Sequence, residues 1–261
     1  MKKVFSSSDG IFYDLNHFET VVNEDYDCYK EDGKILFKYR KNRINKELGD
    51  KVINIFLKES KKNNNQRAIA GGGIRIKQGN MTVSSVIVKS NIFGYYDKPT
   101  IKQKKLYRDI QVCRPARTNK KIAFDECADF YKIVNNIYEE LAPYEYNLQK
   151  EEIKKSLVDI HATVFSTITT NYNFRTACHK DKGDFQNGLG VIVVLGGNFK
   201  GCYLGFPDYK ICVSMMPGDI IIMDSHEYHC NTEMECSETN FRLSFVFYLR
   251  KNISMCRKLI E

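Results

Sequence analysis

From residue 160 onward the chain is a series of short β-branched or aromatic runs, ATVFSTITTN, GLGVIVVLGG, KICVSMM, DIIIMDS and FRLSFVFYL, each cut off by Gly, Pro, Asn or Asp. Side chains that branch at Cβ suit a pleated, half-buried surface, and the turn residues interrupt every run before it reaches helical length. Many short strands with frequent turns satisfy their edges by folding into a sandwich or a double-sheet jelly roll. Ahead of this region, DECADFYKIVNNIYEELAPY spaces Phe130, Ile133, Val134, Ile137 and Leu141 at helical intervals, with Asp125 as N-cap and Pro143 after the end. A second amphipathic helix is expected over 147–158. AIAGGGIRIKQGN and MTVSSVIVKSNIFGYY alternate as strands near a glycine turn. The expected class is α+β, a double-stranded β-helix (jelly-roll) core with flanking helices. Residues 1–66, polar and lysine-rich with a weakly periodic KVINIFLKES, read as an extension packing on or flanking the core. Residues 67–261 read as the main domain.

Composition narrows the function classes. With 43% hydrophobic and 28% charged residues the chain is globular rather than disordered. No run approaches the roughly 18 apolar residues of a membrane span, so no membrane association is expected. The opening MKKVFSSSDG lacks the apolar stretch of a secretory leader. Nine cysteines, an odd number with no CxxC pair, argue for a reduced intracellular setting and against a disulfide scaffold or a structural zinc site. A formal charge of +8 favours polyanionic partners, although a Lys- and Asn-rich composition alone gives the same excess. Gly71, Gly72 and Gly73 are not followed by the Lys-Ser or Lys-Thr of a phosphate loop, and read as a flexible or closely approached backbone.

The run FRTACHKDKGDF carries the chemistry. On a strand, His179 and Asp181 project to one face because side chains alternate with period two. The later HEYHCNTE offers His226 or His229 as a third ligand. Two histidines and one carboxylate leave metal positions open, the donor set of non-haem Fe(II) oxygenases. Such chemistry needs electrons, which 2-oxoglutarate commonly supplies, and the distal carboxylate of that cosubstrate calls for a buried cation. Arg242, between apolar neighbours in FRLSFVFYL, is costly unless it meets an anion, and Ser244 faces the same way. The competing reading of Arg242 is an edge-strand side chain turned to solvent.

With these residues in view, NYNFRTACHKDKGDFQNGLGVIVVLGGNFKGCYLGFP, MMPGDIIIMDSHEYHCNTE and NFRLSFVFYLRKN resemble the TET/JBP family of Fe(II)/2-oxoglutarate dioxygenases, which oxidise the 5-methyl group of pyrimidine bases in nucleic acid. CRPARTNKKIAF looks like the segment preceding the family's catalytic core. The resemblance covers about 67–252, making 67–261 the dioxygenase domain, and is most specific over 171–250; 1–60 match nothing. It implies His179, Asp181 and His229 as iron ligands, HCNT standing where members usually have His-Gly-Asn-Thr. It implies Arg242, Ser244 and Arg175 on 2-oxoglutarate, O2 as co-reactant, and Asp184 at the substrate base. Cys230 in place of the glycine is a departure. The expected partner is double-stranded DNA with base flipping, in the nucleus if the source is eukaryotic. A carboxylate at Asp184 accepts from the cytosine amine, which favours 5-methylcytosine slightly over thymine. Two other readings fit the metal site: the same chemistry on a protein side chain or small molecule, and a non-catalytic binding module. Asn171, Asn173 and His161 read as structural.

Overall fold

Four consecutive apolar residues, Ile220–Met223, are all buried and form an interior strand of the larger sheet. A strand covered on both faces has no need of polar alternation. The computed structural model describes residues 1–62, 64–73, 75–78, 80–83, 86–102, 105–113, 124–237 and 239–256. The chain divides into two compact units.

The first unit comprises Met1–Asn91, Thr170–Lys182 and Val193–Ser244. Its larger sheet runs in the order Tyr26–Tyr29, Ile35–Arg40, Ile220–Met223, Gly190–Gly196, Arg242–Tyr248, Thr167–Tyr172, Val86–Lys102, Asn64–Arg67; strands that extend beyond the unit contribute here only their residues within it. A smaller sheet is ordered Thr20–Val22, Ile211–Val213, Leu204–Phe206, Cys230–Asn231, its first pair parallel and the others antiparallel. Phe37 of the larger sheet stacks on Phe206 of the smaller with ring centroids 5.1 Å apart, so the two sheets face each other as layers of a jelly roll. The buried Asp219 carboxylate accepts hydrogen bonds from the Tyr39 hydroxyl (2.5 Å), the Met216 N–H (2.7 Å) and the Asn42 N–H (2.9 Å), which fixes the turn into Ile220–Met223. Within 1–66, KVINIFLKES lies in the helix Lys46–Lys62, which buries Val52 and Phe56 and places the Ser60 hydroxyl 3.3 Å from that of Thr170.

The second unit comprises Ile92–Thr169, Gly183–Ile192 and Phe245–Glu261. A hairpin pairs Tyr95 through Lys102 with Lys105 through Val112. The helix Ala128–Leu141 buries Phe130, Val134, Ile137 and Leu141. Phe130 meets Phe245 and Phe247 edge-on at 5.3 and 5.7 Å. The expected cap is corrected. Residues 126–127 form a turn, Cys127 is the N-cap, and the Asp125 carboxylate lies 3.0 Å from His161 Nε2. The second helix is Pro143–Ile153, not 147–158. Proline is tolerated in the first turn, where its missing N–H has no intrahelical partner, so the residue expected to end one helix begins the next. Of CRPARTNKKIAF, residues 114–123 lie outside the described residues.

Among the described residues, which include all nine cysteines, no disulfide forms. No described helix is long and apolar enough to cross a membrane.

Candidate active site

His179 and His229 form an isolated antiparallel bridge in the first unit. Each donates its backbone N–H to the other's carbonyl, at 3.1 and 3.0 Å, and residues directly opposed in this way project to the same face. Asp181 follows two residues after His179, its N–H donating to the Ser225 carbonyl at 2.9 Å. His179 Nε2 is 3.7 Å from Asp181 Oδ1, and His229 Nε2 is 3.6 Å from Oδ2. One ligand atom from each of the three side chains lies within 4.8 Å of the others.

Both imidazoles are oriented by the chain itself. His179 Nδ1 lies 2.7 Å from the Ala177 carbonyl and His229 Nδ1 3.0 Å from that of Glu227. A carbonyl only accepts, so each Nδ1 carries the proton and each Nε2 keeps its lone pair. Burial, reinforced by the neighbouring His229, pushes the His179 imidazole down to about 4, which keeps it neutral. Burial alone raises the Asp181 carboxyl, but the adjoining His229 and His179 side chains and the Arg67 guanidinium hold it well below the usual carboxylate range. Two imidazole nitrogens and one carboxylate make a facial donor set for a divalent metal with open positions.

His226, the alternative in the sequence, turns elsewhere. Its Nδ1 lies 3.2 Å from Asp224 Oδ1, and Asp224 also pairs with Lys30 at 2.8 Å.

Arg242 is 3% exposed, and its buried Nε has no hydrogen-bond partner among the described residues. A buried guanidinium N–H without an acceptor is unfavourable, and a carboxylate from a bound anion supplies what is missing. Its backbone N–H donates to Asn173 Oδ1 at 2.8 Å, so Asn173, expected to be structural, anchors this strand. Ser244 is buried and shares the strand face of Arg242. These features fit a bound carboxylate.

Arg175 is tied to the N-terminal segment. Its Nη2 donates to Asp14 Oδ1 (2.6 Å) and to the Tyr13 carbonyl (3.2 Å), while Nε donates to the Asn231 carbonyl (3.3 Å). Asp184 belongs to the second unit, where it is buried and its backbone bridges Arg250.

Arg67, to which the sequence assigns no role, also bears on the site. It ends the strand Asn64–Arg67, donates to Ser90 Oγ at 3.0 Å, and its charge acts on both His179 and Asp181. No local pattern in KKNNNQR signals this, because the position depends on pairing with Val86–Lys102. The glycine run meets its expectation of close approach: Gly72 has φ of 80°, and a Cβ there would lie 2.6 Å from the Phe12 ring.

Residues 91–251 match the model of the Tet_JBP family, the oxygenase domain of the 2OGFeDO superfamily. The bifunctional helicase and thymine dioxygenase JBP2 of Leishmania braziliensis is 34% identical over 248 residues, 93% of this chain and 21% of that protein. Its counterpart in Trypanosoma brucei brucei is 35% identical over 187 residues, covering 71% of this chain and 16% of that protein. Thymine dioxygenase JBP1 of Leishmania braziliensis is 48% identical over 120 residues, covering 45% and 15%. The chain thus spans about a fifth or less of the length of these curated relatives. In fold it is similar to the solved structure of NgTET1 in complex with 5mC DNA, with a TM-score of 0.59 at 14% identity over 91% of this chain and 83% of that one.

Proposed function

We propose that this chain, which belongs to the Tet/JBP family of 2-oxoglutarate and Fe(II) oxygenases, hydroxylates the 5-methyl group of pyrimidines in DNA, thymine ahead of 5-methylcytosine. The observation that carries this reading is the convergence of His179, Asp181 and His229 within 4.8 Å, inside the segment that matches the family. Relatives 34% to 48% identical are named thymine dioxygenases, whereas the complex with 5mC DNA shares 14% identity. On that difference the proposal puts thymine first, against the order expected from Asp184.

His179 Nε2, His229 Nε2 and an Asp181 oxygen would hold Fe(II). Arg242, with Ser244, would take the distal carboxylate of 2-oxoglutarate, and Arg175 would add a second cation. Fe(II), 2-oxoglutarate and O2 together supply the oxidant that inserts oxygen into a methyl C–H bond, with succinate and CO2 as co-products. The chain's own part is orientation. The Nδ1–H bonds to Ala177 and Glu227 fix both ring planes, and burial of Arg242 lets its fork act without competition from water. A methyl group stacked in a duplex cannot reach a site of this kind, so the substrate would be double-stranded DNA with the target nucleotide rotated out of the helix. The net charge of +8 favours such a polyanion, and nine cysteines without a disulfide suit a reducing compartment.

The test is conversion of 2-oxoglutarate to succinate with and without duplex DNA, over a series of salt concentrations. The reading expects DNA-stimulated turnover that falls steeply with salt. Turnover indifferent to DNA but stimulated by a peptide would transfer the chemistry to a protein substrate.

A further inference from the structure

Residues 9–14, which lie outside the family-matched segment 91–251, run along the segment that carries two of the three metal-binding side chains. Gly10 N–H donates to the Cys178 carbonyl at 2.8 Å, and Cys178 N–H donates back to Ile11 at 2.7 Å. Asp9 lies 3.6 Å from Lys182, and the Phe12 ring lies under Arg175 with 4.9 Å from guanidinium carbon to centroid. Gly72 also approaches that ring, so closely that any larger residue there would collide with it. The ring therefore touches both a glycine and a guanidinium.

The donors of Arg175 are divided unevenly. Nε and Nη2 are spent on Asn231, Tyr13 and Asp14, and a guanidinium carries five N–H donors in a planar fork. Those on Nη1 have no partner among the described residues. Arg175 and Arg242 also act together on the buried Cys202 thiol: burial raises it, and both guanidinium charges pull it back. The two cations thus converge on one region of the first unit.

We infer that residues 9–14 are a positioning strap for the cosubstrate, in which Asp14 and Phe12 lock the Arg175 guanidinium so that Nη1 faces the bound dicarboxylate. Asp14 is a positioning residue: it touches Arg175 and not the ligand. This inference rests on the proposed oxygenase reading and adds to it a segment outside the family-matched residues 91–251.

The experiment is titration calorimetry of 2-oxoglutarate into the full chain, paired with KM and kcat for succinate formation. Asp14→Asn should weaken 2-oxoglutarate binding and raise its KM about 5-fold, within what a partly exposed ion pair contributes. Phe12→Ala combined with Asp14→Asn should reach about 10-fold as the cation–π contact is also lost. In each case kcat should stay within about twofold, Asp14→Glu should recover most of the loss, and Glu19→Ala, an exposed charge further along the same segment, should change nothing. A purely structural strap would lower thermal stability and leave the affinity and KM of the surviving folded protein unchanged, which overturns the inference. Wild-type protein that binds no 2-oxoglutarate would overturn the oxygenase reading, and the inference with it.

Discussion

His179 and His229 exchange both backbone hydrogen bonds, and their ring centroids stand 4.3 Å apart. The two imidazoles that a metal needs on one side are therefore set by backbone pairing before any ion arrives. Replacement of His179, Asp181 or His229 by alanine should abolish bound Fe(II) and succinate formation, because two remaining ligands hold the ion poorly. His226→Ala should retain substantial activity, since its ring is committed to Asp224. Metal analysis beside a succinate assay checks this; a dead His226→Ala with an active His229→Ala would reverse the assignment.

The buried Nε of Arg242 has no hydrogen-bond partner among the described residues. Arg242→Met should raise ligand-free stability by about 1 to 2 kcal/mol, as the orphaned donor is removed, and should eliminate the thermal shift that 2-oxoglutarate gives the wild type. Arg242→Lys keeps the charge but loses the fork, so about 10-fold more 2-oxoglutarate should be needed for half-maximal turnover. Thermal melts with and without cosubstrate read both effects.

How much of this was legible in the chain depended on whether the cause was local. The runs that became Thr167–Tyr172, Gly190–Gly196 and Ile220–Met223 announce themselves because β-branched residues buried on both faces leave no other reading. Thr20–Val22 and Tyr26–Tyr29 are short and mostly exposed, and they exist because partners elsewhere pair with them. His179 and Asp181 could be seen from spacing. The choice of His229 over His226 came from the likeness of HCNT to the family's His-Gly-Asn-Thr rather than from spacing, and the hold of Asp14 on Arg175 spans 161 positions, which no motif encodes.

Asp219 should matter for stability rather than chemistry. Asp219→Ala leaves Tyr39, Met216 and Asn42 without their buried acceptor, and should cost about 3 kcal/mol in denaturant unfolding.

Acid sensitivity should trace in part to Asp224. Burial raises its carboxyl, but hydrogen bonds from His226 and Lys30 and the Lys30 charge hold it well below the ordinary carboxylate value. A carboxyl depressed in the folded state contributes stability above its unfolded value near 4, and that contribution fades as pH falls below it. Asp224→Asn should therefore lower the melting temperature at neutral pH and flatten the loss of stability below about pH 4. Melting curves across that range decide it.

The central claim is most directly tested by nucleoside mass spectrometry of duplex DNA containing thymine and 5-methylcytosine, after incubation with the protein, Fe(II), 2-oxoglutarate and O2. The account predicts 5-hydroxymethyluracil as the main product, with 5-hydroxymethylcytosine behind it, both absent when Fe(II) or 2-oxoglutarate is withheld and both absent with Asp181→Ala. Neither product, from protein that converts 2-oxoglutarate to succinate on a peptide, would contradict it.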